Sequence, residues 1–221
     1  MSLSVVKQPL IDEGVLTAGQ LGVIGSALLF VYAVGKFLNG FIADYCNIRR
    51  FMFTGLAISA GVNFLMGLLG VVNGFAAIPL SVIFLLFAVL WGVNGWMQSM
   101  GSPPGVISLS RWFPRSKRGT YYSIFSSTPY VGEFLSFILT GVVVSALGWQ
   151  YGFIVAAAAG LVGSALILFM VSDTPESEGL PSIYELSGEQ KTKEDNMATK
   201  ELQKQILKHP GIWIIALSSA F

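Results

Sequence analysis

Lys36 and Glu133 are ionisable side chains set well inside long apolar runs. A charged side chain at the centre of a bilayer-spanning helix costs about 2.5–3.5 kcal/mol even on insertion scales, so it is kept where it faces a protein interior or a wet cavity. An ammonium in a low-dielectric cavity attracts an anion strongly. Tyr32 precedes Lys36 by one helical turn and shares its face. Gln98, one turn after Asn94 on a later run, offers both an amide donor and an acceptor. Lys36, Tyr32, Gln98 and Glu133 are therefore the candidate ligand contacts. Each also has a plainer reading. Lys36 lies about 10 Å from the polar end of its run, and its stem can snorkel about half of that. Tyr32 fits a packed core, and Asn94 and Gln98 fit hydrogen bonds between helices. Glu133 lies about 20 Å into its run, about 10 Å deeper than Lys36, so the two are not expected to form a direct ion pair. A carboxylate beside an anionic ligand repels it unless protonated or paired. Glu133 is expected to pair with a cation elsewhere, to titrate, or to stay neutral and hydrogen-bonded.

The elements that position these residues are membrane helices. The chain is 53% hydrophobic and 11% charged, with a mean hydropathy of +0.68, against about 25% charge in a soluble domain. Apolar runs of about 18 residues or more recur, so the expected class is an all-α membrane protein. Spans are expected from about Leu21 to Ala43, Phe51 to Val72, Ile78 to Leu109, Thr120 to Leu147 and Trp149 to Val171. Asn73-Gly74 reads as a turn, and Pro103-Pro104 should kink the third span. Residues 1–19 read as a loop with no membrane helix before it. Composition changes at Ser172, giving a transmembrane bundle over 1–171 and a polar central loop over 172–209. Residues 210–221 open another membrane helix, with Trp213 as an interfacial anchor. Leu202, Ile206 and Leu207 mark a short surface helix in the connector.

Orientation follows from lysine and arginine. Arg49 and Arg50, then Arg111, Arg115, Lys117 and Arg118, then Lys191, Lys193, Lys200, Lys204 and Lys208 fall on alternate loops. The opposite loops carry only Lys7. The basic loops are therefore cytoplasmic. The net charge of +1 makes no case for nucleic acid. No His/Cys/carboxylate cluster suggests a metal, no Gly-rich loop a phosphate cofactor, and no nucleophile–base pair an enzyme. Cys46 is a single cysteine without reactive context, and His209 suits a solvated interface.

Gly40-Phe-Ile-Ala-Asp44 followed by Arg49-Arg50 resembles the loop signature of the major facilitator superfamily, GxxxD before a basic cluster. Tyr45 stands where a basic residue is usual and Asn47 where glycine is usual. Three further blocks, WGVNGWMQSMGSPPG (91–105), RWFPRSKRG (111–119) and DTPESEGLP (173–181), resemble the organophosphate:phosphate antiporter family. The resemblance covers essentially the whole chain. It implies helices two to six, the central loop and the start of helix seven of a twelve-helix transporter, an N-terminal half fragment lacking the phosphate-gripping arginines of helices one and seven. Lys36 matches the family's lysine on helix two, and Gln98 a glutamine in the pathway. Ser102 stands where tryptophan is frequent. Pro129 and Glu133 stand where glycerol-phosphate carriers have histidine and glycine. Gly40, Asp44, Arg49, Arg50 and Arg118 are expected to latch the two halves in the outward-facing state, while Arg115 and Lys117 set topology. The implied function is exchange of an organic phosphate, such as glycerol-3-phosphate or a hexose phosphate, for inorganic phosphate by alternating access. Its implied setting is the bacterial inner membrane, with the C-terminal half and the lipid bilayer as partners and no cofactor. Two alternatives are a transporter-like membrane sensor of sugar phosphate and a proton-coupled carrier of another small solute.

Overall fold

The computed structural model describes residues 2–76, 78–190 and 197–218, and every regular element among them is helical. In chain order these are α1 (Ser2–Asp12), α2 (Ala18–Ala43), α3 (Ile48–Ala76), α4 (Leu80–Gln98), α5 (Ser102–Trp112), α6 (Arg115–Leu147) and α7 (Trp149–Met170). A 3-10 turn (Pro175–Glu178), α8 (Ile183–Ser187), α9 (Thr199–Lys208) and α10 (Pro210–Ser218) follow. Five spans are long and apolar enough to cross a membrane: α2, α3, α4 with α5, α6 and α7. They coincide with the five expected runs. Lys191 and Lys193 lie outside the described residues, as does the end of the last apolar run.

Four local expectations are corrected. Residues 1–19 are not a loop throughout, because α1 buries Leu3, Val6 and Leu10 against α6 and α7. Their spacing of three and four residues is a helical stripe, masked in the sequence by Lys7 and Pro9. Asn73 and Gly74 are not a turn, since α3 continues to Ala76. The basic stretch 111–119 is two helix ends separated at Phe113–Pro114. Pro114 serves as the N-cap of α6 with φ near −64°, a value its ring imposes. The break in the third span falls at residues 99–101, ahead of the two prolines. Pro103 and Pro104 cannot donate to the carbonyls of Ser99 and Met100, so the ladder stops there and α5 restarts with proline in its first turn.

The helices pack through small residues. Helix α3 lies along α7, where a Cβ at Gly67 would sit 2.8 Å from the Gln150 carbonyl oxygen. Helix α2 lies along α4, where a Cβ at Gly95 would sit 2.7 Å from the Leu28 carbonyl oxygen. Only glycine permits such backbone approaches. Towards the end opposite the basic loops, Phe87, Trp91, Trp149 and Phe153 form an edge-to-face aromatic core. The Trp149 indole N–H donates to Glu13 at 2.8 Å, which fixes the turn after α1 to the start of α7.

The connector ties the basic face together. Asp173 Oδ1 accepts from Arg111 Nη1 at 2.7 Å and from the Ile48 backbone N–H at 2.8 Å. It thus joins the end of α5 to the start of α3, where the helix dipole favours an anion. The Trp112 indole donates to the Ser172 carbonyl. Glu189 accepts from the backbone N–H groups of Arg115 and Ser116 and from the Ser116 hydroxyl at the first turn of α6. The Arg115 N–H, then the Ser116 hydroxyl, hold the Glu189 carboxyl below its usual range.

Two outcomes follow. Gly95→Ala should lower the thermal midpoint in detergent through an overpacking cost of about 1–3 kcal/mol. Gly92→Ala, whose Cβ meets nothing within 4 Å, should leave it unchanged or raise it. Because the folded-state pKa of Glu189 is depressed, its anchoring is complete above the unfolded value and is lost as pH falls through the folded one. Amide exchange at Arg115 and Ser116, corrected for intrinsic rates, should therefore gain protection as pH rises through that range. Glu189→Gln should remove this pH dependence.

Candidate functional site

The seam between α2 and α4 decides which side chains meet open space. Leu21, Ile24, Gly35, Asn39 and Ala43 form the buried stripe of α2. Gly25, Leu29, Tyr32 and Lys36 recur at i, i+4, i+7 and i+11, a line along one edge of that stripe. Opposite stand Trp91 and Gln98 of α4 and the face of α6 carrying Phe125, Pro129 and Glu133.

Two cavities open along this wall. One, of about 450 Å³, is bounded by Tyr32, Met52, Leu56, Gln98, Phe125 and Pro129 and lies towards the basic face. The other, of about 520 Å³, is bounded by Gly25, Leu29, Tyr32, Trp91, Gln98 and Glu133 and extends away from it. Tyr32 and Gln98 belong to both. The structure therefore brings Tyr32, Gln98 and Glu133 to one chamber. Lys36 lines neither cavity. It is exposed, one turn below Tyr32 towards the basic face, with Nζ 5.9 Å from the Tyr32 ring centroid. This contact is the cation–π geometry. Lys36 and Glu133 form no ion pair, and among the described residues neither has a hydrogen-bonding or ionic partner.

Asn94 takes the plainer role. It is fully buried, its Oδ1 accepts from the Ser59 hydroxyl at 2.6 Å, and it joins α4 to α3. Asn39, not singled out in the sequence, donates to the Ser99 hydroxyl at 2.7 Å and pins α2 to the break between α4 and α5. An asparagine at helical spacing from small residues is the only sequence signal for it.

On the basic face, Asp44 accepts from Gln203 Nε2 at 2.6 Å. Gln203 also donates to the Phe41 carbonyl, and its Oε1 accepts from the Tyr45 hydroxyl at 3.2 Å. Tyr45, the unusual residue in the signature, thus helps dock α9 on the end of α2. Asn47, the other, accepts the Arg50 N–H at 3.0 Å as a side-chain cap of α3. Arg118 folds back on the end of α5, donating to the carbonyls of Phe113 and Ser110 at 2.9 and 2.7 Å. Arg49 is half-buried and Arg50 exposed, and among the described residues neither forms an ion pair. Gly40 is half-buried with open space around its Cα. The pairing with a basic residue and a helix N-terminus that suits Asp44 is made instead by Asp173. Arg111, Asp173 and Gln203 were not candidates in the sequence. Only the acidic start of block 173–181 pointed towards them.

The model of the Major Facilitator Superfamily matches residues 2–221. The chain is 32% identical to the Probable hexose phosphate transport protein of Chlamydia muridarum, over 91% of this chain and 45% of that protein. It is 32% identical to the Glycerol-3-phosphate transporter of Bacillus subtilis, over 96% of this chain and 48% of that protein. It is 28% identical to the Membrane sensor protein UhpC of Salmonella typhimurium, over 98% and 48%. The chain thus spans about half the length of the curated relatives it matches. Five apolar helices with alternating loop charge make it a multi-pass membrane protein. By that architecture and by a family match that leaves out only Met1, the chain belongs to the Major Facilitator Superfamily.

Proposed function

We propose that this chain forms one half of a transporter that exchanges an organic phosphate for inorganic phosphate by alternating access. The observation that carries the reading is Lys36. It is a cation within a membrane span, it has no anionic partner among the described residues, and it lies one turn from Tyr32, which lines both cavities. A strongly hydrated ammonium left unpaired there is stabilised by an incoming anion. Tyr32 and Gln98 supply hydroxyl and amide groups for its oxygens. Relatives named for hexose phosphate and glycerol-3-phosphate support phosphate esters as that anion. No covalent chemistry is needed, so the protein acts as a carrier and not an enzyme.

The proposed partner is a C-terminal half. Helices α2 and α6 also leave large apolar side chains exposed, among them Phe30, Phe37, Tyr130 and Phe134. In the bilayer such faces meet either lipid or a second helical bundle, and a second bundle over these faces would close the site. In this scheme the bacterial inner membrane houses the protein. Gly40, Asp44, Arg49, Arg50 and Arg118 form the cytoplasmic region where the halves separate and meet. A second reading is a membrane sensor of sugar phosphate, favoured by the sensor among the relatives. It uses the same binding site without exchange.

In proteoliposomes containing the full-length protein, Lys36→Ala should weaken organic-phosphate affinity about ten- to hundredfold, the loss of one charge-assisted hydrogen bond of about 1.5–3 kcal/mol. Lys36→Arg should retain part of it. Unchanged affinity in Lys36→Ala would remove Lys36 from the site. Tight sugar-phosphate binding by a wild-type protein that exchanges no phosphate would select the sensor.

A further inference from the structure

Glu133 is the polar group that phosphate recognition leaves unexplained. It projects into the chamber shared with Tyr32, Gln98 and Trp91, and it has no hydrogen-bonding or ionic partner among the described residues. Its position along the wall matters. The chamber follows α2 from Gly25 to Tyr32, about 10 Å at 1.5 Å per residue, and Lys36 lies about 6 Å beyond Tyr32 on the other side. Tyr32 therefore stands between a free cation and a free carboxylate.

An ionised carboxylate only accepts hydrogen bonds, at two oxygens with about four lone-pair directions. It repels a phosphate and binds groups that present O–H donors. Vicinal hydroxyls can donate to its two oxygens together. Trp91, buried in the aromatic core, closes one end of the chamber with an apolar floor. Its ring is held by the edge-to-face contact with Phe153. Gln98, at the junction of the two cavities, supplies an amide donor and acceptor.

We propose that Glu133 is a specificity-determining residue that reads the hydroxyl groups of the organic moiety. The inference rests on the organic-phosphate reading above. In the bound state the phosphate lies at Lys36 and the carbon skeleton extends past Tyr32 into the chamber. The opposed charges orient the ester, since the reversed pose sets phosphate against carboxylate. The substrate class is accordingly a phosphate ester with several free hydroxyls, a sugar phosphate in preference to a sparsely hydroxylated one.

The test uses full-length protein in proteoliposomes loaded with inorganic phosphate. Uptake of radiolabelled phosphate is competed with glucose 6-phosphate or with ethyl phosphate, which lacks hydroxyls. Wild type should be inhibited at least tenfold more strongly by glucose 6-phosphate. Glu133→Gln should remove most of this preference, lowering inhibition by glucose 6-phosphate towards that by ethyl phosphate, and an unchanged thermal midpoint in detergent shows that the variant is folded. Glu133→Asp should retain part of the preference. A Glu133→Gln variant that keeps the wild-type preference, or that loses phosphate self-exchange and both competitors to the same degree while Glu133→Asp does likewise, overturns the proposal. A wild-type protein that exchanges no phosphate overturns the transporter reading on which it stands. Wild-type phosphate exchange with equal inhibition by both esters overturns only the role of Glu133.

Discussion

The close approach of α2 to α4 is the contact on which the site depends. At Gly95 the two backbones come so near that a Cβ would reach the Leu28 carbonyl at 2.7 Å. Further along, a Cβ at Gly35 would meet the Ser99 side chain. With no hydrophobic driving force between helices in lipid, close packing of this kind is what holds them together. It also fixes rotation. Once Gly35 and Asn39 face α4, the 100° step of the helix turns Gly25, Leu29, Tyr32 and Lys36 along the edge of the seam. Lys36 is therefore placed by small residues of the seam and not by a partner of its own.

Polar groups in the bundle divide by whether they face other helices or open space. Asn39 with Ser99 and Ser59 with Asn94 Oδ1 are buried contacts that join α2, α3 and α4, while Asn94 Nδ2 is buried without a partner. Unpaired polar groups are expensive where water is excluded. Lys36 and Glu133 escape that penalty by facing open space, and Tyr32 and Gln98 share the walls of both cavities. Asn94 and Gln98, one turn apart on the same helix, differ accordingly: Asn94 is fully buried against α3, and Gln98 lines both cavities.

Much of this was legible in the sequence. The five spans followed from run length and from loop charge. The pairing of Tyr32 with Lys36 followed from i, i+4 spacing on one helix, and the absence of a direct Lys36–Glu133 pair from their depths. Helix α1 was hidden because three apolar residues over two turns are a weak signal beside Lys7 and Pro9. The break at residues 99–101 was misplaced because proline disrupts the carbonyl four residues before it and not its own position. The chamber itself was not legible. It needs α2, α4 and α6 brought side by side, and no local pattern specifies which helices become neighbours. Asp173 was missed for the same reason, since its partners lie 62 and 125 residues away.

The connector gives the basic face a mechanical unity that the membrane helices alone would lack. Asp173 bridges the end of α5 and the start of α3. Glu189 caps the start of α6, Arg118 caps the end of α5, and Gln203 holds the end of α2. Several of these contacts obey one electrostatic rule, with carboxylates on helix N-termini and guanidinium on C-terminal carbonyls. The proposed rocking of one bundle against another would require each bundle to move as a body, because a helix that slipped alone would expose its paired polar groups to lipid. Cross-links on the basic face resist that slippage at the ends of the spans. Four side chains of the connector segments and their flanking helix ends thus do for this face what the glycine seams do within the bilayer. In the proposed cycle the described connector segments would therefore move with the bundle they cross-link.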